Sequence, residues 1–179
     1  MITWASRLAA SAALVVLTSC GPEEPSAAVS EAALNLSPEV NQELAELRAL
    51  VAPFHDLERA QEAGWSVQLT PCLENPGVGA MGYHYGNPGF IDAEVSHLDP
   101  EVLVYEPQKN GKLRLVAVEY IVPFTLLPPE SVPPVLLGQE FHHNVGAGLW
   151  VLHVWIGLHN PDGIFADWNP DATCEFAAP

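Results

Sequence analysis

The sequence predicts an α+β domain in which an N-terminal helical segment packs on a mostly antiparallel sheet, with a barrel-like curl open to that sheet. Three observations predict it. Residues 39–63 place apolar side chains at helical spacing. After Trp65 the pattern changes to short apolar runs separated by turn residues, and Asn110-Gly111 sits between two of those runs as a hairpin signal. A chain of 179 residues is long enough to bury one ordinary core.

Within EVNQELAELRALVAPFHDLERAQEA, Leu44, Leu47, Val51, Phe54 and Leu57 recur at three- and four-residue steps, with Glu and Arg between them. Pro53 either divides this segment into two helices or occupies the first turn of a second, and Gly64 supplies a stop. Strands are expected at 79–86, 101–107, 113–122 and 149–156. Asn160-Pro161-Asp162-Gly163 is a turn, and residues 123–138 are too rich in proline for a regular element. A two-residue loop at Asn110-Gly111 would pair positions summing to 221. Leu103, Tyr105, Val116, Val118 and Tyr120 would then share one face, and Val102, Val104, Glu106, Leu115, Ala117 and Glu119 the other. Both faces are largely apolar, so the ribbon should be buried on both sides.

The first residues are an address. Arg7 precedes an apolar run, Leu8 to Leu17, which as a helix would rise only about 15 Å, half of a membrane span. Leu17-Thr18-Ser19-Cys20 resembles a bacterial lipobox, and the resemblance implies a lipoprotein signal peptide over 1–19 with palmitate-type acylation of Cys20. It further implies Gram-negative export, with Gly21 favouring the outer membrane, facing the periplasm. Several acyl chains give stable anchoring. Residues 20–38 then read as a lipidated tether rich in Pro, Ser, Ala and Glu, and 39–179 as a single globular domain. With Arg7 removed, five basic residues face 22 acidic ones, a net side-chain charge of −17. Such a balance speaks against nucleic acid as a partner and against unaided adsorption to anionic membrane; the lipid on Cys20 would supply membrane attachment. Cys72 and Cys174 remain, and an oxidising compartment favours a bridge between them over a two-Cys metal site, for which no local Cys/His spacing exists.

The chemistry-bearing candidates are histidines and glutamates. His84 and His153 each interrupt an apolar, aromatic strand, with His153 on the face of Val151 and Trp155. Glu119 lies mid-strand between Val118 and Tyr120, and a buried carboxylate needs a proton, a counter-charge or a cation. With so few Lys and Arg, a His or a metal is the expected partner. His84, Glu119 and His153 therefore form the leading metal-site set, and two imidazoles with a carboxylate suit zinc, copper or iron. Glu106, His142 and His143 are weaker members: Glu106 is too far along the ribbon from Glu119, and His142-His143 occupy a Gly-flanked loop. His55 and His97 are expected to face solvent, His159 to open a turn, and Asp162 and Asp167 to serve turn chemistry. No GxSxG elbow, P-loop or dinucleotide fingerprint is present.

Several stretches together resemble an uncharacterised family of bacterial exported proteins and lipoproteins. They are Ala63-Gly64-Trp65, Gly79 to Tyr85 (GAMGYHY), Leu103 to Pro107 (LVYEP), Val118-Glu119-Tyr120 and Leu152 to Trp155 (LHVW). Asn160-Pro161, then Asp167 to Pro170 (DWNP), and Cys174 complete the set. The resemblance spans about residues 45–175 and implies one exported domain without implying an activity. His84, Glu106, Glu119 and His153 fall inside these motifs; His142 and His143 do not. Three readings of function stay open. One is a lipid-anchored envelope module binding a small ligand or divalent metal. The second is a metal-dependent periplasmic enzyme, and the third is a structural protein that contacts other envelope proteins.

Overall fold

The computed structural model describes residues 36–178. The signal segment, Cys20 and all but the last residues of the tether lie outside the described residues. Helix α1 (Pro38–Val51) begins one residue before the expected domain start. Ser37 Oγ accepts from Val40 N at 3.2 Å and Pro38 occupies the first turn, a pairing suited to a helix start. Pro53 divides the helical segment as expected: a 3₁₀ turn (Ala52–His55) follows α1, and Asp56 caps the short α2 (Leu57–Glu62). Gly64, at φ +117°, ends it.

The remainder is sheet. In chain order the strands are β1 (Val67–Gln68), β2 (Leu73–Asn75), β3 (Gly79–Gly86), β4 (Val102–Pro107), β5 (Leu113–Pro123), β6 (Val135–Leu136), β7 (Gln139–Glu140), β8 (His142–Asn144) and β9 (Leu149–Trp155). The main sheet runs β1-β3-β4-β5-β9-β8, antiparallel throughout, and β2 pairs with the other end of β3. Its outer strands do not pair with each other, so the sheet is open and not a closed barrel. The domain is α+β.

Two turns differ from expectation. The β4–β5 loop holds three residues, not two: Gly111 N bonds to Gln108 O at 2.8 Å, and only Gly111 takes a positive φ, +78°. Asn110 keeps an ordinary φ, so the loop is a type I turn closed by a left-handed glycine and not a type I′ turn. The type I′ geometry occurs at Leu137 (φ +54°) and Gly138 (φ +70°), in a small β6–β7 hairpin inside the Pro-rich stretch. A leucine in that conformation is strained by roughly 1–2 kcal/mol; burial of its side chain in the core offsets this.

The three-residue loop shifts the register by one near the turn. Tyr105 pairs with Leu115 and Glu106 with Arg114, and a bulge between Val104 and Tyr105 restores the expected pairing of Leu103 with Val118 and Val102 with Glu119. Leu115 therefore joins Tyr105 on the helix-side face and Val116 moves to the other, the reverse of the sequence expectation. From Leu115 to Val122 every residue of β5 is buried, as the apolar faces on both sides require.

The two faces have different covers. Against the helices pack Leu103, Tyr105, Val118, Tyr120, Leu152 and Val154, meeting Leu44, Leu47, Val51 and Trp65. The two tyrosines satisfy their hydroxyls on loop carbonyls, Tyr105 on Phe54 O and Tyr120 on His97 O. The opposite face, with Val102, Val104, Ala117, Ile121, Val151 and Trp155, is covered by loops and the C-terminal tail. A Cys72–Cys174 disulfide fastens that tail, with 5.8 Å between Cα atoms and 102 residues of sequence separation. Glu106 reinforces it: Oε1 accepts from Thr173 N at 3.0 Å and Oε2 from Gln108 Nε2 at 2.7 Å. Replacing both cysteines (Cys72→Ser, Cys174→Ser) should cost up to about 4–5 kcal/mol, the chain-entropy value for a loop this long. Urea unfolding with matched slopes measures it; a loss under about 1 kcal/mol would show that the tail is held by its other contacts.

Candidate functional site

Strand alternation sends His84, Glu119 and His153 to the face away from the helices, with Val104, Ala117, Ile121, Val151 and Trp155 as neighbours. Glu119 pairs directly with His153 across β5 and β9, and Val102 on β4 stands opposite Glu119 on the other side. His84 is on β3, paired with Val104. Between β3 and β9 lie three strand spacings, about 14 Å of backbone. The imidazoles nonetheless meet, with 3.4 Å between His84 Nε2 and His153 Nε2. A sheet that curls towards this face, with only valines at the intervening β4 positions, makes this possible. Gly82, at φ +115°, contributes two residues before His84: a Cβ there would collide with the Tyr105 carbonyl, so β3 and β4 approach as only glycine allows.

Glu119 Oε2 is 3.7 Å from His84 Nε2, and Oε1 is 3.6 Å from His153 Nδ1. One ligand atom from each of the three residues fits within a 4.8 Å group. Burial dominates their protonation. It lowers His84 to about 4 and depresses His153 further, and it raises the Glu119 carboxyl to about 8, where Asp167 and Glu101 add repulsion. Without a cation, then, all three groups are neutral at pH 7. The outer nitrogen of His84, Nδ1, lies 2.9 Å from Thr70 Oγ1.

The leading set is thus brought together; the weaker candidates are divided. Glu106 holds the tail and is not part of the cluster. His142 and His143 lie on the edge strand β8, not in a loop, and so point to opposite faces. His143 meets Trp150 edge-on at 4.2 Å between ring centroids, while His142 turns to the site side. His97 is not solvent-facing as expected; it is half-buried and bonds Glu46 at 2.9 Å.

Asp167 is the residue that the sequence expectation misplaced. Its Oδ1 lies 3.0 Å from His142 Nε2 and 3.8 Å from His153 Nδ1. Neither contact has hydrogen-bond geometry, so Asp167 Oδ1 and His153 Nδ1 are both buried without a partner. Burial pushes this carboxyl up, but His142 and His153 together hold it below its ordinary value. Two buried asparagines shape the loop that brings Asp167 here. Asn160 bonds Trp168 O and accepts from Asp162 N; Asn169 bonds His159 O and accepts from Asp171 N. The signal was present as two Asn-initiated turns nine residues apart, each read alone as turn chemistry.

The cluster opens on a cavity of about 600 Å³ walled by Leu69, Met81, Ile91, Ile121, Leu149 and Val151, with Asp167 and Trp168 at one side. Among the described residues no Lys or Arg lines it. No family model, curated protein or solved structure matches the chain.

A pH dependence follows from these groups. Glu101, buried against Ile121 N, is like Glu119 raised by burial to about 8. A carboxyl with a raised folded value keeps its proton after the unfolded chain has lost it, so stability falls as pH rises from about 4.5 to 8. The depressed imidazoles act oppositely below 6.5. The net fall in the metal-free protein is therefore expected between about 6.5 and 8. Melting profiles of Glu101→Gln and Glu119→Gln should each be flatter there, and a wild-type profile with no decline would contradict the assignment.

Proposed function

We propose that this chain is an exported, lipid-anchored domain that binds a divalent transition metal through His84, Glu119 and His153. One observation carries the reading: two buried imidazole Nε2 atoms face each other at 3.4 Å with a carboxylate alongside. In metal-binding histidines the outer nitrogen usually donates to a second group, which fixes the tautomer and aims the other nitrogen at the ion. The 2.9 Å contact of His84 Nδ1 with Thr70 Oγ1 supports that arrangement. His153 would acquire it from a movement of under 1 Å that brings Nδ1, now without a partner, onto Asp167 Oδ1. A cation here would replace the Glu119 proton and take a lone pair from each imidazole. Two imidazoles and one carboxylate suit zinc, copper or iron(II), and three protein ligands leave coordination positions open towards the cavity. Those open positions support a metal-dependent enzyme as the second reading of the same residues.

Attachment to the envelope rests on Leu17-Thr18-Ser19-Cys20, with the disulfide in keeping with an oxidising compartment. Among the described residues no helix is long and apolar enough to cross a membrane.

Elemental analysis of the chain after loading with zinc, copper or iron(II) should find one ion per molecule for at least one of them. At a hundred times its Kd that ion should stabilise by about 2.7 kcal/mol. Glu119→Gln and His153→Ala should abolish stoichiometric loading, and Thr70→Val should weaken it about 10–100-fold. Wild-type protein that holds none of these ions and melts unchanged in their presence would overturn the proposal.

A further inference from the structure

The metal reading leaves the 600 Å³ cavity without an assigned occupant, and its walls restrict what that occupant is. Volume in this range suits a molecule of drug or metabolite size. The walls named above are hydrocarbon and thioether, so most of the occupant's surface must be apolar. His84, Glu119 and His153 meet Asp167 and His142 in one polar cluster on the lining, and Thr70, His143 and Asn144 are its other polar members. With no lysine or arginine among the described lining residues, an anionic headgroup at the metal has no permanently charged side-chain partner and must approach the Asp167 carboxylate.

Asp167 is the selective element. Its Oδ1 is turned inward towards His153 and His142, yet 37% of the side chain is exposed, so the rest of the carboxylate stands at the cavity wall as an acceptor. An ionised carboxylate accepts and never donates. A group bound to the metal beside it is therefore favoured when it carries a proton to give and disfavoured when it carries negative charge.

We infer that the cavity takes a small, predominantly apolar molecule bearing a hydroxyl group, an alcohol or phenol. Its oxygen completes the metal coordination, its O–H donates to Asp167, and its hydrocarbon body lies against Ile121, Leu149 and Val151. This rests on the metal reading and names the ligand class for the same site. Apart from the metal–oxygen coordination no bond is made or broken in it; the proton stays on the ligand oxygen and is shared in a hydrogen bond.

The test uses three matched probes on the cobalt(II)-loaded full chain: 4-butylphenol, 4-butylanisole and 4-butylbenzoate. Calorimetry and the cobalt visible spectrum read binding, and elemental analysis of the same sample reads the metal. The phenol should bind at least about tenfold more tightly than the ether or the benzoate and should shift the cobalt bands. Asp167→Asn, studied at saturating cobalt, should bring phenol and ether within about threefold of each other. Leu149→Trp should retain cobalt and lose all three probes. Ether or benzoate binding as tight as the phenol, on protein shown to hold cobalt, overturns the hydroxyl class and leaves the metal site standing. Phenol affinity unchanged on cobalt removal overturns coordination of the ligand by the metal. A chain that takes up no ion overturns the metal reading first and this inference with it.

Discussion

Burial of Glu119 without a basic side chain is the constraint on which the rest of the site depends. A carboxylate taken from water costs several kcal/mol unless compensated. Among the described residues nothing with a permanent positive charge approaches it; the side-chain nitrogens beside it belong to His84 and His153, at 3.7 and 3.6 Å. Those distances are too long for hydrogen bonds. A proton on Glu119 removes the charge, and the two neutral imidazoles then have one Nε2···Nε2 contact of 3.4 Å to share between a donor and an acceptor. A cation among the three, as proposed, would engage both imidazoles and the carboxylate at once.

The cluster is a product of sheet shape as much as of side-chain choice. Glu119 and His153 are joined by direct cross-strand pairing, and register alone places them together. His84 is two strands from β5, and glycine at position 82, where a Cβ would collide with the Tyr105 carbonyl, lets β3 and β4 approach. The bulge at the β4–β5 ribbon has a related effect. It absorbs the extra loop residue near the turn, so Val102 still opposes Glu119 and the carboxylate stays on the cavity face. A one-residue slip carried through β5 would have turned Glu119 into the helix-side core, against Leu47 and Val51.

Much of this was legible in the sequence because it depends on period and chemical type. Helix spacing through Leu44, Leu47 and Val51, the main strands, the two-sided burial of β5 and the grouping of His84, Glu119 and His153 all follow from which residues interrupt which apolar runs. What escaped depends on backbone conformation and distance. Asn110-Gly111 suits either a two-residue or a three-residue hairpin loop, and the residue count around it does not decide. Leu137 adopts a conformation that leucine resists, because its burial is worth more than its strain, and no propensity reports that exchange. Asp167 escaped for a third reason. Its place is set by Asn160 and Asn169 acting at opposite ends of a loop, and each looks locally like an ordinary turn residue.

The disulfide ties these parts into one mechanical unit. Cys72 lies two residues after Thr70, which holds the outer nitrogen of His84, and Cys174 lies seven residues after Asp167, which faces the outer nitrogen of His153. Both positioning residues stand on loops, and loops open locally at lower cost than strands. Joining their flanks removes the independent opening of either one. The backbone pairing of Ala80 with Asn169 and the bond from Thr173 N to Glu106 close the same circuit from the sheet side. The face that carries the histidines therefore owes its order to cross-links between irregular segments, whereas the helix face owes its order to packed hydrocarbon. The three clustered side chains come from strands, and the residues that contact them from outside, Thr70 and Asp167, come from loops tethered to each other.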